Sequence, residues 1–236
     1  YERAQRFNDY PSLTLTAIIN QVTYPMLSKL QNDIPKLSEI YRRLLRLTFF
    51  VISPLMLGCA AIATPLFEIV LGELWLPAIP FFQILSVGAL LYPVHAFNLN
   101  VLQVYGRSDL FLRLEIIKKV ILVIGLFIGF QFGIMGLVWS GVITSYISLP
   151  INMHYSSQLI NYNIKNQLLD LFPIIILAGF TFLIMYFSID VLKEYSNIFQ
   201  IVGALLVGIL FYLLANSFFK TSPMFDLLTL IKNRKL

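Results

Sequence analysis

A chain of 236 residues with 58% hydrophobic and only 12% charged residues carries about half the charge of an ordinary soluble domain, and a mean hydropathy of +0.79 places it among polytopic membrane proteins. The formal net charge of +5 does not point to nucleic acid, because the Lys and Arg residues sit in short segments between apolar runs, where they serve topology. Cys59 is the single cysteine, which excludes an internal disulfide framework and a thiolate metal site.

The chain opens YERAQRFNDYPS, without an initiator Met, a basic n-region or a cleavage site, and reads as a fragment of something longer. The first apolar segment, Leu13 to Leu27, is the most polar, with Thr14, Thr16, Asn20, Gln21 and Thr23. A lipid-facing helix does not carry so many amides and hydroxyls, so its polar side is expected to face protein or a wet cavity. Residues 28–46 read as a loop and interfacial helix. The second span, Leu44 to Ala63, contains Pro54, and residues 64–80 read as a short interfacial piece with Trp75 at headgroup level.

The third span, Phe81 to Val104, contains Pro93 together with Tyr92, His95, Asn98, Asn100 and Gln103. The fourth, Leu114 to Phe132, follows a charged turn, and its Gly125, Gly129 and Gly133 recur every four residues as a small-residue face. A tight turn leads to the fifth span, Leu137 to Met153, whose polar extension ends at about residue 167. The sixth, Leu168 to Ile189, the seventh, Ile198 to Phe219, and a basic tail complete the chain. Period-2 alternation is absent, so a membrane β-barrel is excluded and the fold is expected to be all-α, a bundle of about seven transmembrane helices. With seven spans, fourteen of the seventeen Lys and Arg residues fall on one side, and the positive-inside rule assigns that side and the C-terminus to the cytoplasm.

No catalytic constellation is visible. His95 and His154 are far apart in sequence, neither begins a metal-ligand spacing, and no phosphate loop, nucleophile elbow or Asp-x-Asp cluster occurs. The chain is therefore expected to be no enzyme and to need no cofactor. Two stretches stand out instead. Tyr92, His95 and Asn98 recur every three residues on one side of a helix, with Asn100 and Gln103 as a second pair. They read either as interhelical hydrogen bonds or as the wall of a hydrated cavity that meets sugar hydroxyls. The other stretch, Leu102 to Ile121, carries Arg107, Asp109, Arg113, Glu115, Lys118 and Lys119 into the mouth of an apolar span. Glu115 has favourable helical pairings with Lys118 and Lys119, which project about 100° apart and so cannot share one environment. Either both lysines snorkel to the interface, or one grips phosphate oxygens as a point charge.

Tyr1-x-Arg3-Ala4 and Tyr24-Pro25-x-Leu27-Ser28-x-x-Gln31-x-Asp33 resemble the midpoint of bacterial polysaccharide export flippases of the MOP superfamily. Pro54-Leu55-Met56-Leu57-Gly58, Gly72-Glu73-x-Trp75-x-Pro77-Ala78, Gly106-Arg107-Ser108-Asp109 and Leu114-Glu115-x-x-Lys118-Lys119 resemble the phrases that follow. The resemblance covers residues 1 to about 160. It implies the C-terminal lobe of a two-lobed transporter, lacking that lobe's first helix, with residues 161–236 adding two helices and a basic cytoplasmic tail. It further implies flipping of undecaprenyl-diphosphate-linked oligosaccharide across the bacterial inner membrane by alternating access, with the bilayer, that lipid-linked sugar and an N-terminal lobe as partners and no nucleic acid. The substrate-path candidates are Lys118, Lys119, Glu115, Arg113, His95, Asn98, Gln21 and Arg3. The rival within the superfamily is a cation-coupled multidrug antiporter of the MATE type, which works through membrane-embedded carboxylates. Here Glu115 and Asp170 lie at span ends rather than mid-span.

Overall fold

The computed structural model describes residue 21 and residues 23–233. Among them every element is helical and no strand occurs. Arg3 and most of the first expected span lie outside the described residues.

The bundle is built around α1 (Ile34–Ala61). Asp33 starts it, its carboxylate accepting from the Lys36 N–H at 3.2 Å, and Pro35 stands in the first turn, where its missing N–H removes no helical bond. Leu37, Tyr41, Leu45, Phe49, Ile52, Met56 and Ala60 then recur at three- and four-residue spacing and are buried. This is one continuous helix, so the expected interfacial piece before the second span is that span's own first turns. Pro54 lies inside it and removes the donor to the Phe50 carbonyl; the Tyr212 hydroxyl of a later helix donates there instead, at 2.9 Å.

At Ile62 the chain bends into α2 (Ala63–Val70), then a short 3-10 helix (Glu73–Ala78). The third expected span is two helices, α3 (Ile79–Ala89) and α4 (Tyr92–Val104), each with a proline in its first turn, and they break at Leu90–Leu91. Pro93 accounts for the break, since it has no N–H to donate to the Ala89 carbonyl four residues back, although Leu90 and Leu91 keep helical angles. Next come α5 (Ser108–Phe130), α6 (Gly133–Ile160), α7 (Ile164–Val191), α8 (Asn197–Phe218) and α9 (Ser222–Asn233). The polar extension after the fifth span is mostly helix. It belongs to α6 up to Ile160, where Asn161 turns left-handed at φ 52° and Asn163 caps α7 by accepting from Asn166 N–H at 2.9 Å.

Among the described residues five stretches are long and apolar enough to cross a membrane: α1, the run from the 3-10 helix through α4, α6, α7 and α8. Helix α5 is also long enough, with 23 residues, but Arg113, Glu115, Lys118 and Lys119 make its first half too charged to qualify on composition. Packing shows which ends belong together. Tyr105 after α4 donates to the Gln31 carbonyl, and Arg42 and Arg46 of α1 meet Asp170 of α7 and Asp226 of α9. At the other end Asn197 of α8 donates to Glu68 of α2 at 2.7 Å. The helices thus alternate in direction as the charge pattern requires. Large apolar side chains such as Phe127, Phe130, Leu206 and Leu214 are exposed on the periphery. The chain is a multi-pass membrane protein.

Helices α5 and α6 touch through glycine. A Cβ on Gly129 would stand 2.6 Å from the Gly136 carbonyl oxygen, and one on Gly125 2.9 Å from Thr144 Oγ1. Gly133, expected on this same face, is instead the turn residue at φ 68°, and Gly136 supplies the contact.

Candidate substrate path

The polar residues of α4 face a matching stripe on α6. Asn98, fully buried, donates to the Val94 carbonyl of its own helix at 2.7 Å and accepts from the Ser156 hydroxyl. His95 stands 2.7 Å from Asn152 Nδ2 through Nδ1 and 3.1 Å from Ser145 Oγ through Nε2. Both ring nitrogens of His95 are thus engaged by α6, which fixes the orientation of the imidazole in the seam. Ser145, Asn152 and Ser156 lie seven and then four residues apart, so one face of α6 carries all three. That spacing was readable in the sequence and marks the partner of the α4 stripe. Asn100 is buried whereas Gln103 is exposed, so this second pair is split between two environments.

The charged stretch begins with a sharp corner. Gly106 adopts φ 64°, and the Arg107 N–H reaches back to the Leu102 carbonyl at 2.9 Å, which closes α4. Arg107 then grips Asp109 with both nitrogens, Nε at 2.9 Å and Nη2 at 2.7 Å. This bidentate hydrogen bond holds the exposed Asp109 carboxyl down at about 2. The motif Gly-Arg-Ser-Asp is therefore a self-contained loop staple that starts α5.

Nearly three turns into α5, Lys118 pairs with Glu115, three residues before it, and is 20% exposed. Lys119 and Arg113 are exposed. The two lysines do occupy different environments, one engaged and one open. Helix α5 packs on α6 and touches α4, and Lys118 and Glu115 lie within electrostatic reach of His95. The fold thus gathers His95, Glu115 and Lys118 on one side of the bundle, with Asn98 behind them in the α4–α6 seam. Gln21 is exposed on the short helix that precedes α1. Among the described residues no group of three or more His, Cys, Asp and Glu side chains is placed to hold a metal ion.

Residues 1–80 match the sequence profile of a family described as polysaccharide biosynthesis protein. The lipopolysaccharide biosynthesis protein WzxC of Escherichia coli (strain K12) is 28% identical over 131 residues, which is 56% of this chain and 27% of that protein. The teichuronic acid biosynthesis protein TuaB of Bacillus subtilis (strain 168) is 24% identical over 166 residues, 70% of this chain and 34% of the relative. The chain is a relative of polysaccharide biosynthesis membrane proteins. An uncharacterized membrane protein in the cps region of Klebsiella pneumoniae, 26% identical over 141 residues, covers 60% of this chain and 28% of its own length. The chain thus spans 27–34% of the length of these relatives. No solved structure gives a significant match.

Proposed function

We propose that the chain is the C-terminal part of a flippase that moves an undecaprenyl-diphosphate-linked oligosaccharide across the bacterial inner membrane. In this reading an N-terminal lobe supplies the other wall of the cavity, and the two alternate access around the substrate. The names of the relatives, proteins of lipopolysaccharide and teichuronic acid biosynthesis, support a part in the biosynthesis of a polysaccharide. The observation that carries the reading to a diphosphate is the cation pair of α5. Lys118 is held in place by Glu115 nearly three turns into α5, where the apolar half of the helix begins, and Lys119 is exposed beside it. Setting topology does not require charge at that depth, since Arg107 and Arg113 already supply it. The charge-rich end of the bundle, with α9, then faces the cytoplasm, where the lipid-linked sugar is made.

Glu115 and Asp170 are both matched by a cation, Lys118 and Arg42, which counts against a cation-coupled antiporter working through either carboxylate. The deciding experiment puts the full-length protein into a strain lacking its polysaccharide flippase. Restored surface polysaccharide is the expected result. Drug resistance without restored polysaccharide would place the protein with the antiporters.

A further inference from the structure

At the charge-rich end of the bundle, three arginines of α1 face two carboxylates. Asp170 is taken by Arg42, whose Nε and Nη2 stand 2.5 and 2.7 Å from its oxygens, and it also accepts the Tyr162 hydroxyl. Asp226 has Arg43 Nε at 3.2 Å. Arg46 is left with 3.8 Å to Asp170 and 3.5 Å to Asp226, both longer than the roughly 2.7–2.9 Å of a good charge-assisted bond. Its side chain is only 15% exposed, against 41% for Arg43, and its buried Nε, like that of Arg43, has no hydrogen-bond acceptor among the described residues. A largely buried guanidinium with two long contacts is short of an anion.

Arg46 lines a cleft of about 500 Å³ between α7 and the corner joining α8 to α9. Lys220, at that corner, lines it too, and the chain turns there through φ 47°. Asp170, engaged by Arg42, and the hydroxyl-bearing Thr221 and Ser222 also line it, and the rest of the wall is apolar, with Phe172, Pro173 and Ile176 running into the span and Phe219 at the corner. Phe172 and Phe219 are 61% and 66% exposed, so the cleft opens to the lipid side of the bundle. A cationic mouth at the end of the spans above an apolar wall complements an acidic lipid.

We propose that this cleft is a binding site for an anionic phospholipid, with its phosphodiester between Arg46 and Lys220 and an acyl chain along Phe172 and Ile176. The phosphodiester carries the single negative charge that Arg46 lacks. The site is separate from the substrate-path candidates of α4 and α5, because this cleft is formed by α1, α7 and the corner that joins α8 to α9.

The test is native mass spectrometry of the purified full chain with phosphatidylglycerol, phosphatidylcholine of the same acyl chains, and undecaprenyl diphosphate as competitor. Phosphatidylglycerol should be retained at least about tenfold better than phosphatidylcholine, and Arg46→Gln and Lys220→Gln should each lower its retention about fivefold. Lys220 is exposed, so its substitution leaves the packing of the bundle intact. Lys193→Gln, at the opposite end, should change nothing. Equal retention of the two phospholipids, or full retention in Lys220→Gln, would overturn the proposal. Displacement of phosphatidylglycerol by equimolar undecaprenyl diphosphate would overturn it in favour of a substrate subsite.

Discussion

The hydroxyl of Tyr212 on α8 donates to the carbonyl of Phe50 on α1 at 2.9 Å, the carbonyl from which Pro54 removes the helical N–H. The two rings lie 5.0 Å apart, and both residues are buried. No water competes there, so a proline that weakens α1 by itself becomes an anchor between two helices.

Tyr212→Phe should lower stability by about 1–2 kcal/mol, because a buried carbonyl loses its partner. In a Pro54→Ala background the alanine N–H takes that carbonyl, and the same substitution should cost under about 0.5 kcal/mol. Thermal unfolding of the four proteins in one detergent closes the cycle. An equal loss in both backgrounds would show that the hydroxyl does not compensate for the proline.

Gly129 and Gly136 are the closest approach of α5 to α6. Gly129→Ala sets a methyl group against the Gly136 backbone, so the helices must part, at a cost of about 1–3 kcal/mol. Gly141→Ala, which meets nothing within 4 Å, should leave the unfolding temperature unchanged or raise it. Comparable losses in the two variants would remove the close contact from the account.

Asn98 and Ser156 join α4 to α6 in the buried seam. If the seam is structural, Asn98→Ala and Ser156→Ala should each cost about 0.6 kcal/mol, with a double variant less unstable than the sum, and polysaccharide export should fall only as far as membrane levels do. Export lost at full membrane level in Asn98→Ala would show instead that this amide meets the substrate.

The helical class, the ends of α7 and α8 to within a few residues, and the charged turn before α5 were all legible in the sequence. Each depends on local pattern: long apolar runs, and a glycine corner between them. What was not legible depends on partners remote in the chain. Arg42 and Asp170 are 128 residues apart, and nothing near either one announces the pair. The stretch around Tyr155 and Ser156 read as a polar extension of the fifth span because its buried face is polar; the Ser156 hydroxyl is satisfied by Asn98 of α4, which hydropathy cannot register. The break at Leu90 was half visible, since Pro93 was noted, but whether proline kinks or ends a helix depends on the packing around it.

Sidedness is open to direct labelling. In a background with Cys59 replaced by Ala, single cysteines at Lys36, Arg107 and Lys232 should resist an impermeant thiol reagent in intact spheroplasts, while those at Glu73 and Lys193 should react. Labelling at Arg107 from outside would invert the orientation and move the Lys118 cluster to the outer face.

Transport by the α5 cations is the central claim, and proteoliposomes test it most directly. The full-length protein, with both lobes, is reconstituted with a fluorescent undecaprenyl-diphosphate-linked oligosaccharide, and its movement between leaflets is followed for wild type, Lys118→Gln, Lys119→Gln and the corresponding Arg variants. Loss of a charge-assisted phosphate contact of about 1.5–3 kcal/mol predicts a ten- to hundredfold fall in apparent affinity for at least one Gln variant, with partial recovery in its Arg counterpart. Saturable flipping that is the same in wild type and both Gln variants would contradict the account.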